Sequence, residues 1–164
     1  MLKKNEEPGN PLWELRDKLF ETDPAELGLP SSIELPRVWG LLMESGHKEG
    51  PISLVVIADQ TTSLYLPTGG GVIGAGAHKT VWAASKAFLV TCEAVFEAFT
   101  DTSDRSFPRQ GELKFHLLTY RGARMAGGEE KEIGNGKGPL SALFWAGQAV
   151  ISQIRLISPS NPQA

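Results

Sequence analysis

The sequence predicts an α+β domain in α/β/α layers, with a mostly antiparallel sheet of two hairpins crossed by one long helix. Three observations carry this. Two pairs of short apolar runs are joined by connections too short for a parallel crossover: Ile52–Ala58 with Ser63–Leu66, and Leu113–Leu117 with Ala123–Gly127. Between the pairs lies the strongest helical pattern of the chain. An isolated hairpin is marginal in water, so the two pairs must share a sheet, and the helix must cover its apolar face.

The elements follow in order. Residues 1–10, MLKKNEEPGN, are polar and read as a flexible arm. Pro11 opens an amphipathic helix to Glu21, with Leu12, Leu15 and Leu19 at helical spacing. Asp23-Pro24-Ala25-Glu26 is a capping pattern stopped by Gly28, which allows one turn. Residues 33–45 read as a second full helix, with Pro36 in its first turn and Gly46 as its stop.

The β-branched run Ile52–Ala58 then reads as a central strand, and Ser63–Leu66 as its hairpin partner. The long helix is expected from Ala77 to Phe99. Val81, Ser85, Phe88, Cys92, Val95 and Phe99 face the core, and Lys79, Lys86, Glu93 and Glu97 face water. Residues 100–111 read as a polar loop. Leu113, Phe115 and Leu117 alternate with Lys114 and His116, which predicts a half-buried strand with both polar residues on its wet face. Arg121-Gly122 is a turn, and residues 127–138 read as an exposed loop. A closing helix over Leu140–Arg155 should turn Leu143, Phe144, Gly147, Val150, Ile151 and Ile154 inward. One globular domain is expected over residues 11–157, with 158–164 a frayed tail.

Bulk properties narrow the function classes. Net charge is −3, from 16 Lys+Arg against 19 Asp+Glu, with no basic stripe; nucleic acid and anionic membrane are therefore not expected as partners. The uncharged stretch Gly138–Ile154 is short for a bilayer span and carries Gly, Ser and Gln. One cysteine and no apolar leader behind Lys3-Lys4 point to the cytoplasm.

The Gly-rich segment is the one candidate ligand site. Gly69, Gly71 and Gly74 match G-x-G-x-x-G, and Gly70, Gly76, His78 and Lys79 complete a segment that could hold a phosphate or carboxylate at a helix start. The dinucleotide fingerprint needs a parallel βαβ unit, and here the preceding strand belongs to a hairpin. The phosphate-loop pattern fails as well, because Ala77 and His78 intervene before Lys79-Thr80. Sharp turning or close backbone approach is the favoured reading of these glycines, with anion binding the alternative.

No other constellation suggests catalysis. Cys92 falls on the buried stripe and lacks an electropositive setting. His47, His78 and His116 have no ligand spacing, so no metal or cofactor is expected. Asp59 is read as a turn maker. Trp13, Trp39, Trp82 and Trp145 all fall on predicted helices; one or two exceed what a small sheet can cover and suggest a self-association surface, with a complete monomeric core the equal alternative.

The element order over Leu35–Arg155 resembles the roadblock/longin/profilin-like group of small layered domains, although four strands are read where that group has five. The run SLYLPTGGGVIGAG, residues 63–76, also resembles the signature of a bacterial family. The first resemblance implies a non-enzymatic homodimer that contacts small GTPases or serves as a scaffold. The expected function is thus a protein-interaction or regulatory module; the alternative is a small-molecule binder or enzyme built on residues 69–79.

Overall fold

The structure is a computed structural model and describes residues 11–157. The expected flexible arm 1–10 and frayed tail 158–164 lie outside the described residues. Among the described residues, four α-helices surround one seven-stranded antiparallel sheet. We label the strands β1 (Val38–His47), β2 (Gly50–Ile57), β3 (Thr62–Tyr65), β4 (Gly71–Val72), β5 (Thr100–Asp101), β6 (Glu112–Thr119) and β7 (Gly122–Glu129). The helices are α1 (Pro11–Leu19), α2 (Lys79–Ala94), α3 (Glu130–Asn135) and α4 (Pro139–Ile157). Strand order is β4-β3-β2-β1-β6-β7-β5. The α+β class and the antiparallel sheet are therefore as the sequence indicates.

The largest correction concerns residues 33–45. They form no helix; Val38–His47 is the central strand, paired with β2 on one side and β6 on the other. Both of its faces are buried. Leu41 and Met43 join the main core, while Trp39 and Leu42 join a smaller core on the opposite face. A strand buried on both sides reads as a continuous apolar run and loses its period of two. Gly46 is no helix stop either. A Cβ there would lie 2.0 Å from the Arg109 carbonyl oxygen, so the residue admits a close backbone crossing.

Other boundaries shift less. The long helix ends at Ala94 and is followed by a 3-10 turn, Phe96–Ala98. Residues 127–138 are not a loop: β7 runs to Glu129 and α3 follows. Helix α4 buries Leu143, Phe144, Gly147, Val150, Ile151 and Ile154, the six residues its periodicity selects. Gly147 faces Met43, where a Cβ would meet the sulfur at 2.6 Å; the missing side chain lets α4 lie close on β1.

The two sheet faces are covered unequally. Helices α2 and α4 pack side by side over the main core, which contains Phe88, Leu89, Phe115 and Leu143. The opposite face is covered by α1 and the segment after it, through Leu12, Leu19, Phe20 and Leu29.

Candidate functional site

Helices α2 and α4 turn one stripe each into the core and leave another outside. On α4 the outer stripe is Ala142, Trp145, Ala149, Ser152 and Leu156, all exposed. The spacing alternates between three and four residues, which keeps them on one helix face. Trp145 is 56% exposed and Leu156 68%, high values for side chains of this size. On α2 the corresponding stripe is Ala83, Ala87, Val90 and Ala94, also exposed and also uncharged. Arg155 is the only charged residue of α4. Of the α2 charges, Lys86 pairs with Glu34 at 3.0 Å and Glu93 is buried, while the exposed Lys79 stands at the N-terminal end of the same stripe. The two helices thus present a paired outer face whose one charge is Lys79 at its end. Helix α4 is long and apolar enough to cross a membrane by length and composition, but a core helix passes the same test, and its inner stripe is packed in the core.

The Gly-rich segment folds as follows. Gly71 lies in β4, and a Cβ there would stand 2.2 Å from the Leu64 carbonyl oxygen. Gly76 crosses the β2–β3 turn, where a Cβ would fall 1.8 Å from the Gln60 carbonyl oxygen. Gly69 and Gly74 have left-handed φ values of 98° and 77°. Gly70 accepts from the Leu66 N–H and has open space around it. The Gly69, Ala77 and His78 N–H groups donate to carbonyls within the segment or just before it, and Gly74 N–H donates to Ser63 Oγ at 3.4 Å. His78 is the N-cap of α2 without a side-chain capping bond, and Lys79 is the first residue of that helix; both are exposed. The Gly69, Gly74 and His78 N–H groups, three that an anion would need, are thus engaged, and Gly71 and Gly76 permit contacts between backbones.

Comparison of the chain with protein-family models, curated proteins and solved structures finds no match.

Several polar residues sit where the sequence did not place them. His116 is fully buried beneath α1 instead of lying on a wet face. Its Nε2 donates to the Asp104 carbonyl at 2.7 Å, which leaves Nδ1 as an acceptor, and Nδ1 is buried without a partner. Burial holds its pKa below the ordinary value, against the opposing pull of the Asp104 carbonyl and of Glu44. Nearby, Glu44 of β1 and Arg16 of α1 form a two-point ion pair, at 2.9 and 2.8 Å, with exposures of 0% and 1%. Ser53 Oγ donates to the same carboxylate at 2.6 Å. Burial opposes the Arg16 charge, yet Glu44 and Asp17 outweigh it and raise its pKa. Phe107 and Phe20 lie against the guanidinium at 4.1 and 5.1 Å. Only the pairing of β1 with β2 and β6 brings these residues together, so misreading β1 hid the cluster.

Glu93 is likewise buried, against expectation. One oxygen accepts from the Arg37 and Val38 backbone N–H groups at 2.6 and 2.7 Å, the other from Arg37 Nε at 3.0 Å. It ties α2 to the entrance of β1. Trp39 stands on β1, not on a helix, and its Nε1 donates to the Thr119 carbonyl. Asp59 makes its turn by accepting from Thr61 N–H. Cys92 is fully buried; burial and then the neighbouring Glu93 push its thiol well above the ordinary range. His47 ends β1 and is exposed. Among the described residues no His, Cys, Asp and Glu group could hold a metal ion.

Proposed function

We propose that the protein is a non-enzymatic interaction module that works as a homodimer, joined through the outer face of α2 and α4. The observation that supports this reading is the pair of uncharged stripes. Trp145 donates Nε1–H to the Gly134 carbonyl and meets Phe144 edge-on, yet it, Leu156 and Val90 still stand 40–68% exposed on adjacent helices.

A second copy is the occupant that fits. With a two-fold axis at Ala149, antiparallel α4 helices set Leu156 opposite Ala142 and Trp145 beside Ser152. Large side chains then meet small ones along the whole helix. With α2 about 24 Å long, α4 about 28 Å, and each about 10 Å wide, the face measures roughly 500 Å² per protomer before corrugation. Two such faces reach the roughly 1,000 Å² at which specific interfaces begin. The near absence of charge removes the repulsion that a self-complementary face would otherwise carry. The resemblance read from the sequence, whose leading helix over residues 33–45 is strand β1 in the structure, suggests a small GTPase as onward partner.

Sedimentation equilibrium on the full chain tests this. The expected result is a dimer that Ala149→Glu and Val90→Glu convert to a monomer with an unchanged far-ultraviolet spectrum. Both positions are exposed, so neither substitution should disturb the monomer by more than about 0.5 kcal/mol. A wild-type monomer at high concentration overturns the proposal.

A further inference from the structure

A cleft of about 490 Å³ opens at the sheet edge far from the α4 stripe in sequence, lined by Pro36, Arg37, Phe96, Asp101, Thr119, Tyr120, Arg121 and Arg124. Its volume falls in the range of small-ligand sites. Three arginines around one cleft stand out in a chain of net charge −3. They come from three places: the segment entering β1, the β6–β7 turn, and β7 itself.

The three arginines are held differently. Arg37 is committed, with its Nε on Glu93 and its Nη2 on the Glu93 carbonyl at 3.0 Å, and it lies 4.0 Å from the Phe96 ring centre. It forms a fixed wall. Arg124 lies 4.3 Å from the same ring centre, and its Nη2 donates to the Phe99 carbonyl. Its Nη1 meets Asp101 at 3.1 Å, and its Nε is buried with no partner. That N–H is sealed from the surface, so what Arg124 can offer a ligand is the Nη1 held by Asp101. Arg121 is exposed, with no ion-pair partner among the described residues. Its own N–H is fixed by Thr119 Oγ1 at 3.0 Å, which sets the turn that carries it.

Asp101 is the informative acid. It is 87% exposed on the two-residue strand β5, and its carboxylate accepts from Nη1 of Arg124, a side chain 20% exposed. An exposed pair of this kind stabilises a protein by less than about 1 kcal/mol, so a competing oxyanion can displace it. With Asp101 turned aside, Arg121 and Arg124 offer two positive charges, the complement of a phosphate-monoester dianion.

We propose that this cleft binds the phosphate of a small phosphomonoester, with Arg121 and Arg124 as its ligands and Asp101 as a built-in occupant that the phosphate replaces. The site is separate from the α2/α4 face and does not depend on the dimer.

Amide and arginine-Nε resonances of the full ¹⁵N-labelled chain, titrated with inorganic phosphate and with acetate at matched ionic strength, provide the test. Phosphate should produce saturable shifts at Tyr120–Arg124 and at Arg124 Nε, and acetate should not. Arg121→Gln, a change on an exposed turn, should weaken phosphate roughly ten-fold, the loss expected for a charged hydrogen bond. Asp101→Asn should tighten it about two- to five-fold by freeing Arg124. Shifts that never saturate, or that ignore Arg121→Gln, overturn the site. An equal response to acetate overturns the phosphate assignment, and weaker binding in Asp101→Asn overturns the role given to Asp101.

Discussion

Glu44→Gln removes one charge from a pair sealed between α1 and the sheet. The substitution keeps the shape of the side chain, so packing is preserved and the electrostatic loss is isolated. In the native protein the Arg16 guanidinium meets the carboxylate at two points, and Ser53 adds a third bond. Taking such a pair out of water is costly, and the direct contacts offset that cost only while both charges remain. With glutamine, Arg16 keeps Asp17, whose side chain is 59% exposed and bonds a different nitrogen at 2.7 Å. The guanidinium is then buried with an incomplete partner set. Removing one member of a buried pair costs about 3–5 kcal/mol. Against a typical total of about 5–15 kcal/mol, that is a large fraction. Urea unfolding followed by circular dichroism reads it as a fall in the midpoint. If α1 has already detached in the variant, the m-value falls too, because less surface remains to be exposed. The double variant Arg16→Met/Glu44→Leu should recover much of the loss, since an apolar pair needs no compensation. A cost below about 1 kcal/mol for Glu44→Gln would falsify the claim that water is excluded from this contact.

Two further outcomes follow from local geometry. The lowered pKa of His116 means that the unfolded chain binds its proton more readily than the native one. Stability from the neutral imidazole is therefore complete above about pH 6.5 and is lost as pH falls through the lower folded value. The slope from this group cannot exceed about 1.4 kcal/mol per pH unit. His116→Gln should flatten urea midpoints measured between pH 7 and 5; parallel profiles would show that the imidazole is not sealed. Gly76→Ala should lower stability by about 1–3 kcal/mol or more, because its Cβ meets the Gln60 backbone and not a flexible side chain. Gly70→Ala, with open space around it, should be near neutral, and equal thermal shifts for the two would undo this reading of the segment.

The sequence was legible where one side of an element faces water. Helix α4 alternates six buried residues with a wet stripe, and its inward set could be read by periodicity alone. Strand β2 was legible through its β-branched run between turn residues. Strand β1 was not. Val38 and Leu41 enter one core while Trp39 and Leu42 enter the other, and a register shift between Val38 and Gly40 spoils the alternation. The resulting spacing of three imitates a helix. That error carried others with it, since Glu44 became a helix-surface acid and Arg16 had no partner to find. The arginine cleft was hidden for a different reason. Arg37, Arg121 and Arg124 come from separate segments, and no spacing rule connects residues that only the β6–β7 hairpin and the start of β1 bring together.

The unequal covering of the sheet suggests where this protein resists change and where it can give. Twenty buried residues form the core beneath α2 and α4, and six form the core on the other face. Hydrophobic burial scales with area, so the first layer fixes the fold and the second is marginal. Nine residues of α1 cannot hold themselves as a helix in water. The Arg16–Glu44 pair compensates for that weakness: its geometry admits one docking position for α1, where apolar contacts alone would tolerate several. The proposed dimer face draws on the strong layer through α2 and α4, whereas the proposed phosphate cleft draws on both, through Phe96 and through Tyr120, which packs on the smaller core and donates to the Leu29 carbonyl. Loosening α1 by Glu44→Gln should therefore leave dimerisation intact while stability falls. Coupled loss of stability and dimerisation would mean that the two layers fold as one unit.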